Sequence, residues 1–250
     1  MSVCNACNSA GCRTCRPGPL GDWSLIDPEH SRVLERILSD QRYAKGESVF
    51  RAGVGNSGIY CIAEGMVGLR LLHESGTSVL VGIAYPGDLI GTRAFLRSGP
   101  HRTSAEALSE VRLCKIPGVE ARRLMRDHPA LHQRLVRVCL DSLDASQEAM
   151  LQAAAMSNGD RLFQLLSRLL QHCGSHDNAG RLQAHLPISR EDIAGMLGVR
   201  QETLSRLLKR LKQEGLIDIS GRQCQLLSTR CLQRGRMVAN RLQRLAATGI

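Results

Sequence analysis

Residues 187–215, PISREDIAGMLGVRQETLSRLLKRLKQEG, decide how the chain is read. Two short helices joined by a tight turn account for the order of residue types. Ser189 is an N-cap, and Glu191 and Asp192 suit the positive end of the helix it starts. Ile193, Ala194 and Leu197 give that helix an inward face, and the small Ala194 lets a second helix cross closely. Gly198 falls at the break, where a positive φ is needed and glycine adopts it without steric strain. Val199, Leu204, Leu207, Leu208 and Leu211 continue apolar spacing into the second helix. This is the pattern of a helix-turn-helix, whose second helix enters the DNA major groove. The outward face of that helix carries Arg200, Gln201, Glu202, Ser205 and Arg206. Arginine suits guanine and glutamate suits the cytosine amino group. The bland alternative is a solvated amphipathic helix in a small bundle, which leaves the joint placement of Ala194 and Gly198 unexplained.

Length and charge agree with a DNA reader. The 250 residues allow one or two domains with a sizeable core. Thirty-three Lys and Arg against 23 Asp and Glu give a formal charge of +10, which fits an anionic partner. Aromatic residues make up only 3%, so stacking on bases is not the main mode of binding. No apolar run of about 18 residues spans a membrane, and the N-terminus lacks the order of a signal peptide. A cytoplasmic location is expected, and there the ten cysteines are thiols or metal ligands rather than disulfides.

Upstream, Cys4, Cys7, Cys12 and Cys15 form C-x2-C-x4-C-x2-C within a Gly-, Ser- and Pro-containing stretch that builds no core by itself. Such thiolates bind zinc or an iron–sulfur cluster. Residues 24–40 show helical spacing. Residues 42–117 alternate short apolar runs with turn signals at Glu74-Ser75-Gly76 and Pro86-Gly87-Asp88, the mark of an antiparallel barrel or jelly roll. Leu108 to Ile116 reads as its last strand, closed by Pro117. From Leu131 to Ser157 there is neither proline nor glycine. An unbroken helix there is about 40 Å long. Val136, Leu140, Leu143, Gln147, Met150 and Ala154 recur at alternating four- and three-residue steps, a seam for a twin helix in a homodimer. Asn158-Gly159 is a hinge, Asp160 caps the next helix, and 172–185 is a loop. After the opening stretch, LIDISGRQCQLLS is a two-stranded wing turning at Gly221, where Arg222 meets phosphate. Residues 230–250 form a basic, partly helical tail.

The order of helix, glycine-rich β-roll, long helix and winged helix-turn-helix resembles the CRP/FNR superfamily of bacterial transcription regulators over about residues 23–232. KGESVFRAG, PGDLIG, LCKIP and the second helix of the opening stretch carry the resemblance. It implies an α+β fold: an N-terminal antiparallel β-roll like a cyclic-nucleotide-binding jelly roll, a long dimerisation helix and a C-terminal winged helix-turn-helix. The chain then divides into a Cys-rich cluster-binding segment (1–21), a sensor domain (22–128), a dimerisation helix (129–158), a DNA-binding domain (159–232) and a basic tail (233–250). Glu202-Thr203-Leu204-Ser205-Arg206 is similar to the reading face of the FNR branch, which implies TTGAT-like half-sites. Glu202, Ser205 and Arg206 would contact bases; Arg200 and Lys209 would contact phosphate. The FNR branch also implies an oxygen-labile [4Fe–4S] cluster. Cys114, in LCKIP, matches its distant ligand, and Cys4, Cys7 and Cys15 match a C-x2-C-x7-C pattern, with Cys12 as the alternative ligand. RNA polymerase as a partner, with the chain in the role of activator or of repressor, follows from the same resemblance.

Three rivals stand beside this reading. Zinc closed by the four N-terminal cysteines would leave Cys114 a buried core thiol. A cyclic-nucleotide sensor is weakened because Thr92, not Glu, follows Gly91, although Arg102-Thr103 stands where a phosphate pair would. Haem on His73, His101 or His128 is the third, although each of these reads as a plain surface histidine. No catalytic constellation is evident, so an enzyme is not expected. Cys61, Cys139, Cys173, Cys224 and Cys231 have no partner at ligand spacing and read as structural.

Overall fold

The computed structural model describes residues 38–227. Cys4, Cys7, Cys12, Cys15 and Cys231, most of the helix expected at 24–40, and the basic tail lie outside them. The described residues form two compact units, divided between Glu148 and Ala149.

The first unit is a β-roll. Its strands are β1 (Ser39–Tyr43), β2 (Ser48–Phe50), β3 (Gly58–Glu64), β4 (Val67–Leu72), β5 (Ser78–Ala84), β6 (Leu89–Ile90), β7 (Ser104–Ala107) and β8 (Val111–Pro117). Three helices, α1 (Thr92–Leu96), α2 (Gly118–Asp127) and α3 (Pro129–Ala155), interrupt or follow them. One sheet runs β1-β8-β3-β6 and the other β2-β7-β4-β5, with every strand pairing antiparallel. Phe50, Tyr60, Ile62, Val67, Ala105, Val111 and Leu113 fill the inside of the roll. The outer face of the first sheet is covered too: Ile59, Leu89 and Ile116 pack with Phe95 of α1, Ala121 and Leu124 of α2, and Leu131 and Leu135 of α3. Strands β3 and β8 are therefore buried on both faces, which is why β8 has little of the alternation of a half-solvated strand.

The sequence expectations need four corrections here. Ser39 and Asp40 belong to β1, because their backbone pairs with Lys115 and Cys114. The last strand starts at Val111 instead of Leu108; residues 108–110 turn the chain out of β7. Neither α1 nor α2 was foreseen. The long helix starts at Pro129, a residue whose missing N–H costs nothing in a first turn.

The second unit contains α4 (Asn158–Cys173), β9 (Ser175–His176), β10 (Leu182–His185), α5 (Arg190–Leu197), α6 (Gln201–Gln213), β11 (Ile217–Ser220) and β12 (Gln223–Leu226). Ser157, not Asp160, is the N-cap of α4: its Oγ accepts from the Asp160 backbone N–H at 3.1 Å. The loop expected at 172–185 is the end of α4 and then a hairpin. Asp177 organises its turn by accepting from the backbone N–H groups of Ala179 and Arg181 at 2.9 and 2.8 Å. Strand β10 also pairs with β12, so the wing belongs to a four-stranded sheet β9-β10-β12-β11. Leu162, Phe163, Leu166, Leu169 and Leu170 of α4 are buried, as are the inward residues of α5 and α6.

Candidate nucleic-acid interface

Local chemistry fixes the two helices of the opening stretch. Ser189 Oγ accepts from the Asp192 N–H at 3.0 Å, and Asp192 Oδ2 accepts from the Ser189 N–H at 3.1 Å. This reciprocal capping box satisfies two donors that the first turn of α5 would otherwise leave unmet. At the other end Gly198 has φ 68° and ψ 33°, a left-handed conformation in which its N–H bonds back to Gly195 O. Arg161 of α4 donates to Leu197 O at 3.1 Å, adding a cation at the negative end of α5. That contact has no signature in the local sequence.

Helix α6 then turns Leu204, Leu208 and Leu211 inward. Arg200, Gln201, Glu202, Ser205, Arg206 and Lys209 are all exposed. Glu202, Ser205 and Arg206 lie at i, i+3 and i+4 and share one face. The cations divide by position. Arg210 donates to Glu214 at 2.7 Å, and Lys212 pairs with Asp218 of β11 at 2.7 Å, tying the end of the helix to the wing. The Lys212 hydrogen bond, then its charge, holds the Asp218 carboxyl below its ordinary range. Arg206 and Lys209 make no such pair among the described residues. The wing turns at Gly221 with φ 60°, and Arg222 beside it is exposed while Leu186 N–H bonds its carbonyl at 2.8 Å. Helix α6 and the wing are thus a rigidly built support carrying uncompensated positive charge, suited to a polyanion.

Cys224, behind the wing, is fully buried, and burial pushes its thiol up to about 12. It is inert packing, as its spacing implied.

On α3, Leu131 and Leu135 are buried in the first unit, whereas Val136, Leu140, Leu143, Gln147, Met150 and Ala154 are exposed. Leu151, not foreseen, is exposed as well and lies four residues beyond Gln147. Apolar side chains left in water at coiled-coil spacing form an adhesive stripe.

Cys114 is 4% exposed, in β8. Its register partners are Asp40 on one side and Cys61 on the other. Arg112, two residues away on the same face, bonds Glu64 at 2.6 Å and keeps its carboxyl low. Among the described residues no cluster of three or more His, Cys, Asp or Glu side chains is arranged for a metal. Cys114 is the one predicted ligand within them. A buried thiol with a carboxylate and a second cysteine as its register partners is a soft donor and fits an iron–sulfur centre whose other ligands come from elsewhere in the chain.

The remaining candidates are dispersed. Thr92 is buried with its hydroxyl 3.8 Å from the Cys139 thiol, and Arg102 is exposed. His101, expected at the surface, is instead buried: it stacks on Phe50 with ring centroids 3.8 Å apart, and burial lowers its pKa. His73 is occupied in the β4–β5 turn with Ser75. No helix among the described residues is long and apolar enough to cross a membrane.

Known proteins agree with this layout. Residues 40–128 match the cyclic nucleotide-binding domain, and residues 160–234 match the Crp-like helix-turn-helix domain. The chain is 29% identical over 221 residues to the transcriptional activator protein Anr of Pseudomonas protegens, covering 88% of this chain and 90% of that one. It is 28% identical over 219 residues to the fumarate and nitrate reduction regulatory protein of Salmonella typhi, covering 88% and 84%. Its fold is similar to that of FixK2 from Bradyrhizobium japonicum, with a TM-score of 0.66, 25% identity and coverage of 79% and 96%.

Proposed function

This chain belongs to the CRP/FNR superfamily of DNA-binding transcription regulators, in its FNR-like branch, and from that premise we propose that it senses oxygen through a [4Fe–4S] cluster. It is a regulator and not an enzyme, like the relatives it matches. In this reading residues 22–128 are the sensor, 129–158 the dimerisation helix and 159–232 the DNA-binding domain. Two copies would associate through the α3 seam and read a TTGAT-like palindrome, with RNA polymerase as the further partner. Glu202, Ser205 and Arg206 would touch base edges. Arg200, Lys209 and Arg222 would hold phosphate, and Gln201 would lie at the rim of the same face.

The observation that carries the cluster reading is Cys114, a buried thiol on the helix-covered side of β8. Together with Cys4, Cys7 and Cys15, or with Cys12 in place of one of them, it would supply four thiolates. The cluster would supply reactivity toward oxygen. The chain's part is to fasten the N-terminal segment to β8, on the face that α2 and the first turns of α3 cover. Regulation follows only if this fastening differs in free energy between the dimer and the monomer.

Iron, zinc and acid-labile sulfide in anaerobically purified protein test the reading. Iron and sulfide in equal amounts are expected, lost in air and absent from Cys114→Ser. Colourless protein with zinc and no sulfide, unchanged in Cys114→Ser, overturns it in favour of a zinc site at the four N-terminal cysteines.

A further inference from the structure

Spacing along the sequence does not reveal it, but the β3–β8 register sets Cys61 directly opposite Cys114. Both stand as thiols. Residues opposite each other in an antiparallel pair leave the sheet on the same face. For these two it is the outer face, where Cys61 packs against the cluster containing Ile59, Ile116 and Leu135.

The backbone bonds give the type of pair. Gly118 N–H donates to Ser57 O at 3.0 Å, across the β3–β8 ladder. Ile62 instead spends its N–H on Asp88 O and its carbonyl on Gly87 N–H, on the β6 side. Strict alternation therefore makes Cys61 and Cys114 a hydrogen-bonded pair, for which the Cα atoms are about 5.5 Å apart. Disulfides span Cα separations of roughly 4.4–6.8 Å. The Cβ atoms of such a pair are about 5.5 Å apart, wider than the roughly 4.5 Å upper limit of an unstrained bridge. Closing the bond draws the strands together and stores strain, and a strained disulfide is readily reduced again.

We propose that hydroperoxides convert Cys61 and Cys114 into a reversible intramolecular disulfide, which withdraws Cys114 from metal ligation. Cys61 is half-buried and Cys114 is 4% exposed, so the oxidant meets Cys61 first. Its thiolate attacks one peroxide oxygen; the S–O bond forms, the O–O bond breaks, and hydroxide leaves and takes up the thiol proton as water. The Cys114 sulfur then attacks the Cys61 sulfenic acid. The S–S bond forms, the S–O bond breaks, and hydroxide departs with the Cys114 proton as a second water. Two thiols and one hydrogen peroxide give one disulfide and two waters. Besides the oxidant, bond formation needs the register of β3 and β8 and a small approach of the two strands. Its regulatory meaning rests on the cluster reading above, since bond and cluster are exclusive uses of one sulfur.

Peptide mapping of the full chain tests this. Anaerobically purified protein is titrated with hydrogen peroxide, its thiols are blocked and it is digested with trypsin. Residues 52–70 are expected joined to residues 113–115 with the loss of two hydrogens. The link disappears on dithiothreitol treatment and is absent from Cys61→Ser. It grows only as iron–sulfide absorption falls. Sulfinic acid on Cys61 beside an unmodified Cys114, or Cys114 linked to an N-terminal cysteine, overturns the pair. A full link with absorption intact overturns the exclusion. A link in protein that never held iron and sulfide sinks the oxygen-sensing reading and leaves the pair standing.

Discussion

Replacing Leu140 and Leu143 together by alanine separates association from folding. The two side chains are 54% and 52% exposed in the single chain. Complete burial of a leucine side chain is worth about 1.5–3 kcal/mol, so about 1 kcal/mol per residue remains to be gained when a partner covers the exposed half. A two-fold dimer counts each residue twice. Alanine keeps a small part of that area, which leaves about 3 kcal/mol lost from the dimer. This is a roughly hundred-fold rise in the dimer dissociation constant. Sedimentation equilibrium of anaerobic protein over a range of concentrations measures it directly. Folding of the monomer is expected to stay within about 0.5 kcal/mol of the parent, as for surface positions generally. Leu135→Ala should do the opposite: that side chain is fully buried, and its loss costs about 2–5 kcal/mol of folding free energy. An unchanged dissociation constant for the double variant, or a large loss of monomer stability, would refute the assignment of the stripe to a twin helix.

Two more expectations concern the reading head and the core of the roll. Arg206→Ala should cost about 1–3 kcal/mol at one base pair of the site and little on random DNA, whereas Lys209→Ala should weaken all sequences alike and make the salt dependence shallower; equal losses for both in fluorescence-anisotropy titrations on the two DNAs contradict the division. His101 is 4% exposed and burial depresses its pKa, so the unfolded chain takes up its proton first. The stability it permits is complete above the unfolded value of about 6.5 and is lost as pH falls from there through the folded value. Melting temperatures between pH 8 and 5 should fall less in His101→Phe, which keeps the stack on Phe50, than in the parent; parallel curves exclude this histidine as the cause.

What was legible in the sequence depended on how local the deciding chemistry is. Ser189, Asp192 and Gly198 act within one or two turns of their own positions, so the helix-turn-helix could be read from a short window. The stripe on α3 was legible because a helix repeats its face every few residues. Hairpin β9–β10 was not, because its strands are short and polar and β10 gains its second partner only in β12, about 40 residues later. Helix α2 was hidden by its thin apolar face: Ala121 and Leu124 are its only buried side chains of any size. The partnership of Cys61 with Cys114 was invisible for a related reason. No spacing along the chain encodes a register between strands separated by some 50 residues.

The register of β1 with β8 also bears on how the chain could close a ring. Counted along the sequence, a link from Cys15 to Cys114 encloses about 100 residues. The pairing of Asp40 with Cys114 would shorten that ring, because the folded sheet already brings residue 40 beside Cys114. Only about 25 residues then have to be closed. Loop-closure entropy of a flexible chain grows as about (3/2)RT ln n, so under the cluster reading the shortcut would lower the entropic cost of fastening the N-terminus by roughly 1.2 kcal/mol, close to tenfold in occupancy. A five-residue edge strand with no predicted ligand in it would thus set how readily its distant cysteines reach their fourth partner.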